Sequence, residues 1–215
     1  MTRLIVRHLG CMPYEKVWSY MKCFTEERDN ETYDELWWLE HPSVYTLGQA
    51  GKSEHIIKPT DIPIVKTDRG GQVTYHGPGQ LIGYLLIDMK RLGVSVRNLV
   101  SGIERSIVDL LCKSRIHAFT RKDAPGVYVK GKKVAALGLR VRKGRSYHGL
   151  SLNVDMNLEP FSGINPCGHE GLEVVDLKRL GVLMTTCQAA DQLAPIIGVE
   201  FGYDALIQEC KEILE

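Results

Sequence analysis

Apolar and polar positions alternate along this chain in two rhythms, and the switches between them outline its elements. Residues 2–8, with Leu4, Ile5 and Val6, predict a short strand. Pro13 then opens a predicted helix on which Val17, Tyr20, Met21 and Phe24 share one face. Leu36-Trp37-Trp38-Leu39 and Val44-Tyr45-Thr46-Leu47 predict two strands split by His41-Pro42. Residues 62–67 and 80–88 predict strands flanking a glycine-rich loop. A second amphipathic helix carries Val96, Leu99, Ile103, Ile107, Leu110 and Leu111 inward. Three strands joined by turns at Lys130-Gly131 and around Lys143-Gly144 fill residues 126–155. From Thr186 to Glu215 the spacing of Leu206, Ile207, Cys210, Ile213 and Leu214 predicts a helical tail. Strand clusters with isolated helices point to an α+β fold with hairpins predominating, rather than a βαβ repeat. One compact domain over residues 1–215 is the expectation, since no repeat or Pro/Ser linker divides the chain.

The loop at residues 69–80 reads Arg-Gly-Gly-Gln-Val-Thr-Tyr-His-Gly-Pro-Gly-Gln. Four glycines and a proline hold its backbone in turns, and Arg69, Thr74, Tyr75 and His76 sit among them. A segment so poor in core-forming side chains reads as a site rather than a connector.

Composition excludes several classes. With 44% hydrophobic and 25% charged residues the chain is an ordinary globular protein, and no apolar run can span a bilayer. No signal-peptide core follows the first residues. Six cysteines with no CxxC pair indicate free thiols in a reducing compartment and no zinc ribbon, so a cytoplasmic location is expected and no metal site. Neither a GxxxxGK[ST] loop nor a GxGxxG turn is present, so no nucleotide cofactor is indicated. The net charge of +1 conceals a strip of Lys130, Lys132, Lys133, Arg140, Arg142, Lys143 and Arg145, worth +7, which leaves −6 elsewhere. That strip suits an acidic partner or a phosphate, or it is a solvated hairpin. Nucleic acid fits less well, because only Tyr128 and Tyr147 interleave with these charges.

Cys167 stands between Pro166 and Gly168, a context that presents a thiol on a tight turn. Cys11, Cys23, Cys112, Cys187 and Cys210 read as buried, inert cysteines. A nucleophilic thiol needs a base, and His76, His148, His169, Lys132 and Lys133 are the candidates. Strand alternation puts Lys133 on the face of Ala135, Leu137, Leu139 and Val141, and Lys132 with Arg140 and Arg142, unless a bulge shifts the register. An ammonium facing an apolar surface is costly unless partnered, which singles out Lys133. Asp68 and Asp88 read as capping or orienting groups.

RGGQVTYHGPGQ, then GVYV and KKVAALGLRVRKGRSYHGLSLNVD, then INPCG resemble the lipoyl(octanoyl) transferase family in order and spacing. The resemblance runs from about Leu4 to about Asp176. It implies the fold of biotin- and lipoate-protein ligases, a mixed, largely antiparallel sheet flanked by helices. It implies Cys167 as acyl-thioester nucleophile and Lys133 as its acid/base partner. Arg69, Gly70, Gly71, Gln72, Val73, Thr74, Tyr75 and His76 would line the acyl site with Ala136, Leu137, Gly138, Gly149, Leu150 and Ser151. The implied reaction moves an octanoyl or lipoyl group from acyl carrier protein to a lysine of lipoyl domains, in 2-oxoacid dehydrogenases and the glycine cleavage H protein. Thioester to amide runs downhill, so no cofactor is needed. The alternatives are an ATP-dependent lipoate or biotin ligase, a non-catalytic module that binds acyl carrier or lipoyl domains, and a cysteine hydrolase.

Overall fold

The computed structural model describes residues 2–58, 61–166 and 171–209. Its framework is an eight-stranded sheet of β1 (Arg3–Cys11), β2 (Asp34–Glu40), β6 (Gln80–Leu86), β7 (Phe119–Thr120), β8 (Gly126–Val129), β9 (Lys132–Arg142), β10 (Arg145–Asn153) and β11 (Ala205–Glu209). The spatial order is β11-β1-β2-β6-β10-β9-β8-β7. β1 runs parallel to both β11 and β2, and every other pairing in this sheet is antiparallel. A second sheet of three strands holds β3 (Val44–Leu47) between β4 (Ile64–Lys66) and β5 (Val73–His76).

Strand β2 shows how one sequence serves two cores. Leu36 and Trp38 face α3 (Val96–Lys113) and α4 (Thr186–Glu200), joining Leu99, Ile103, Ile107, Ala190 and Leu193. Trp37 and Leu39 face α1 (Tyr14–Glu27), joining Val17 and Met21. Both sets follow the period of two that a strand imposes. The small sheet makes a third cluster, in which Tyr45, Leu47, Val73 and Tyr75 pack on Phe161 and Ile164. Asp88 caps the short α2 (Met89–Leu92) by accepting from the Lys90 and Arg91 amides.

Three expectations need correction. The tail is not one helix: α4 ends at Glu200, Gly202 turns the chain at φ +71°, and Leu206 and Ile207 lie on β11 beside β1. Cys210, Ile213 and Leu214 lie outside the described residues. The glycine-rich loop holds a strand, β5, and the strands flanking it belong to different sheets. Cys11, Cys23, Cys112 and Cys187 are exposed rather than buried. Burial pushes the Cys11 thiol up and a hydrogen bond to Glu27 raises that of Cys23, which keeps both protonated and unreactive.

Candidate active site

A narrow cavity of about 50 Å³ opens between the glycine-rich segment, β9 and β10. Arg69, Gly71, Gln72, Val73, Thr74 and His76 form one wall, and Ala136, Leu137, Gly138, Gly149, Leu150 and Ser151 the other. Tyr14, Ile82, Tyr84 and His148 complete the lining. Gly70 and Tyr75 do not reach it. The Gly70 amide donates to Leu139 O at 2.9 Å, tying the loop to β9. The Tyr75 side chain turns the other way, with its hydroxyl 2.9 Å from Ser43 Oγ.

The wall is rigid because Arg69 is buried and fully engaged. Its Nη2 donates to Thr46 O at 2.7 Å, Thr46 Oγ1 at 2.9 Å and Gln72 O at 2.7 Å, and its Nη1 to Gly70 O at 2.9 Å. The guanidinium therefore shapes the loop from within rather than pointing at a ligand. On the other wall, a Cβ at Gly149 would stand 2.1 Å from Gly83 O, so only glycine lets β6 and β10 approach there.

Three buried histidines lie beside the cavity or beneath it. His41 bridges Met12 O at 2.6 Å and Tyr84 Oη at 2.7 Å. His76 Nδ1 is 2.7 Å from Gln80 Oε1. Burial pushes His41 down to about 4 and His76 to about 3, so both are neutral at physiological pH. His148 Nε2 lies 2.9 Å from Asp68 Oδ1, which also accepts from Trp18 Nε1 at 2.8 Å, and Asp68 Oδ2 accepts from the Tyr147 hydroxyl. Consecutive strand residues point to opposite faces, yet Tyr147 and His148 both reach Asp68. The reason is the backbone of His148, whose φ of +59° turns its side chain onto its neighbour's face. That conformation costs about 1 kcal/mol for a non-glycine residue.

Lys133 is 3% exposed while Lys132 is open to solvent and pairs with Glu173 at 2.5 Å. The expected face was wrong, because a bulge intervenes. Val127 pairs with Ala135 and Tyr128 with Lys133, so Val134 is an extra residue in β9. Lys133 therefore shares the face of Ala136 and Gly138, which line the cavity, and not that of Ala135. Its Nζ donates to Pro125 O at 3.1 Å and lies 5.3 Å from the centroid of the Tyr128 ring. Gly126 makes room for it: a Cβ there would meet Lys133 Cε at 2.8 Å. The Glu104 carboxylate holds this turn by accepting from the Gly126 amide at 2.7 Å.

Cys167 and His169 lie outside the described residues. The chain on either side is anchored: the Asn165 amide donates to His55 O at 2.8 Å, and Lys133 N and O bond Glu173 O and the Val175 amide. The seven basic residues from 130 to 145 do not form one patch. Lys130 and Lys132 lie at one end of β9 and Arg142 and Lys143 at the other, roughly 33 Å apart at strand rise. Arg142 pairs with Glu26 and Arg145 with Asp88.

Sequence reasoning did not single out Tyr14, Ile82, Tyr84 or Thr46. Alternation along residues 80–86 does place Ile82 and Tyr84 on one face and could have found them; Tyr14, on a helix far away in sequence, carries no such signal.

The model of the lipoyl protein ligase A/B catalytic domain matches residues 13–197. An octanoyltransferase from Shewanella oneidensis is 56% identical over 206 residues, 96% of this chain and 95% of that protein. Among solved structures, an archaeal bipartite lipoate protein ligase from Thermoplasma acidophilum superposes with a TM-score of 0.74 at 15% identity, covering 98% of this chain and 86% of that one. The biotin protein ligase from Aquifex aeolicus superposes with a TM-score of 0.56 at 13% identity, covering 94% and 70%. Both structural likenesses concern the fold.

Proposed function

Because the chain belongs to the lipoyl protein ligase A/B catalytic-domain family, with octanoyltransferases among its relatives, we propose that it works by way of an acyl-thioester on Cys167, with Lys133 as proton carrier. It is an acyltransferase that moves octanoyl groups in protein lipoylation. The donor is octanoyl-acyl carrier protein, and the acceptors are lysines of lipoyl domains, those of 2-oxoacid dehydrogenases and of the glycine cleavage H protein. Its place of work on carrier proteins is the cytoplasm; no helix among the described residues is long and apolar enough to cross a membrane.

The observation that carries this reading is the buried Lys133 on the face of Ala136 and Gly138, two residues that line the cavity. An amine has no packing reason to be there. In the first half-reaction the Cys167 sulfur attacks the thioester carbonyl of the donor. Lys133 takes the thiol proton and returns it to the departing carrier thiolate, so one C–S bond forms as another breaks. In the second half the acceptor lysine amine attacks the acyl-enzyme. Lys133 moves the amine proton to the released Cys167 thiolate, and the amide remains on the acceptor. The first half is nearly isoenergetic and the second downhill, so no nucleotide is consumed. The cavity between Val73, Leu137 and Leu150 holds the acyl chain out of water.

Intact-mass analysis of a lipoyl domain incubated with the enzyme and octanoyl-acyl carrier protein tests the reading. One octanoyl addition without ATP is expected. Modification only from free octanoate with ATP would identify a ligase instead, and no modification would leave a binding module.

A further inference from the structure

His8 stands near the end of β1 and pairs with Trp38, whose side chain joins the core beneath α3 and α4. Its imidazole therefore rises on the sheet face that α4 covers. The helix begins there. A reciprocal capping box between Thr185 and Gln188 fixes its first turn, and Cys187 and Asp191, four residues apart, share one side of it. Asp191 lies between the other two: His8 Nε2 is 3.7 Å from Asp191 Oδ1, and Cys187 Sγ is 3.9 Å from Asp191 Oδ2. All three ligand atoms lie within 4.8 Å of one another, the one such trio of histidine, cysteine and carboxylate groups among the described residues.

A tetrahedral cation with bonds of about 2.0–2.3 Å holds its ligand atoms roughly 3.3–3.7 Å apart. The two contacts of Asp191 already stand near that spacing, and all three side chains are exposed, so small rotamer adjustments close the rest. The charges also match: a thiolate and a carboxylate neutralise a dication, and a neutral imidazole supplies the third bond. Sulfur and nitrogen donors disfavour Mg²⁺ and Ca²⁺, which take oxygen ligands, and suit Zn²⁺. Beside the trio lies an open groove of about 240 Å³, lined in part by His8, Cys187 and Glu40, with room for a water as fourth ligand. The Glu40 oxygens are engaged elsewhere, accepting from the Gly79 amide and the Thr186 hydroxyl, each at 2.6 Å. Glu40 thus adds negative charge without being a ligand. The lack of a CxxC pair excludes a zinc ribbon but not this site, whose ligands are far apart in sequence.

We propose that His8, Cys187 and Asp191 form a surface site for a zinc ion, bound through Nε2, Sγ and one carboxylate oxygen. The Cys187 thiol gives its proton to solvent as the sulfur–metal bond forms, so binding weakens as the pH falls. The ion ties the end of β1 to the start of α4 and favours the folded chain by mass action. None of the three residues lines the acyl cavity, so the site stands whether or not Cys167 is acylated.

The test titrates the metal-free, full-length protein with Co²⁺, whose bond to a thiolate absorbs in the near ultraviolet. That band should appear on binding, disappear when Zn²⁺ displaces the cobalt, and be indifferent to excess Mg²⁺. Cys187→Ser should abolish it. His8→Gln and Asp191→Asn should each weaken binding by at least roughly tenfold, since even changes around a metal's ligands cost that much. Both substitutions fall at exposed positions outside the cavity and should leave octanoyl transfer unaltered. Alkylation by iodoacetamide, mapped peptide by peptide, should show zinc protecting Cys187 but not Cys23 or Cys112. A band that survives Cys187→Ser, or that only Cys167→Ala removes, would overturn the proposal. So would full affinity in both His8→Gln and Asp191→Asn, or a Cys187 that zinc leaves as reactive as Cys112.

Discussion

Lys133 Nζ lies 3.1 Å from Pro125 O, across a turn in which the missing side chain of Gly126 leaves room for the lysine. Gly126 has a φ of +144°, and an added Cβ would also stand 2.6 Å from Ala135 O. Gly126→Ala should therefore displace Lys133 and lower the acylation rate with little change in donor KM. Single-turnover kinetics with octanoyl-acyl carrier protein check this. Wild-type rates would show that the lysine position is immaterial.

The two adjacent lysines should part company. Lys133→Ala should slow transfer from a small octanoyl thioester by about 10²- to 10⁴-fold, the usual contribution of a positioned proton carrier. Lys132→Ala removes only an exposed pair with Glu173 and should leave that rate within about twofold. The reverse ranking, measured by steady-state assay, would reassign the role.

Thr46 is the anchor of Arg69, accepting from Nε at 3.1 Å and Nη2 at 2.9 Å through Oγ1. Thr46→Val should leave a buried guanidinium short of an acceptor and cost about 1–3 kcal/mol of stability. It should also loosen the cavity wall and raise the donor KM. Urea unfolding and a KM measurement report the two effects separately.

The neutral histidines predict acid lability with a definite sign. Folded His41 and His76 have values of about 4 and about 3, below the value near 6.5 of an unfolded histidine. Between these limits the unfolded chain binds more protons, so stability is full above about pH 6.5 and falls as the pH drops towards 4. Each group contributes on the order of 1.4 kcal/mol per pH unit in that window. Urea midpoints at pH 7.5, 6 and 5 should decline, and His76→Gln should flatten the decline. A flat profile in the wild type would mean that these rings are solvated.

Carrier docking should use the basic end of β9 nearest Lys133. An open groove of about 530 Å³ lies there, whose charged lining is Arg121, Lys130 and Lys132 with Asp123 and Glu173. Lys130→Glu with Lys132→Glu should weaken reaction with octanoyl-acyl carrier protein several-fold at low salt and spare a pantetheine donor. Equal losses with both donors would remove docking as the cause.

The helical period of Val17 and Met21, and of Leu99, Ile103 and Ile107, was legible because each faces a single core. So was β2, whose run of four apolar residues serves two. The C-terminal strand was not: Leu206 and Ile207 fit a helix as well as a strand, and only pairing with β1 decides between them. Gly202 was the local signal that the helix stops. At the site, the residue types of the two cavity walls were readable in the glycine-rich loop and the hairpin. The bulge at Val134 and the positive φ of His148 were not, because both arise from pairing between distant strands. They decide which face Lys133 and His148 occupy, which alternation alone gets wrong in each case.

The site of acylation is the most direct measurement of how the transfer proceeds. The enzyme is mixed with octanoyl-acyl carrier protein without acceptor, quenched in acid, digested and mapped by mass spectrometry. One octanoyl group labile to hydroxylamine should appear on Cys167, and Cys167→Ala should neither carry it nor support transfer. An adduct on Cys112 or Cys187 with full transfer by Cys167→Ala would contradict the account.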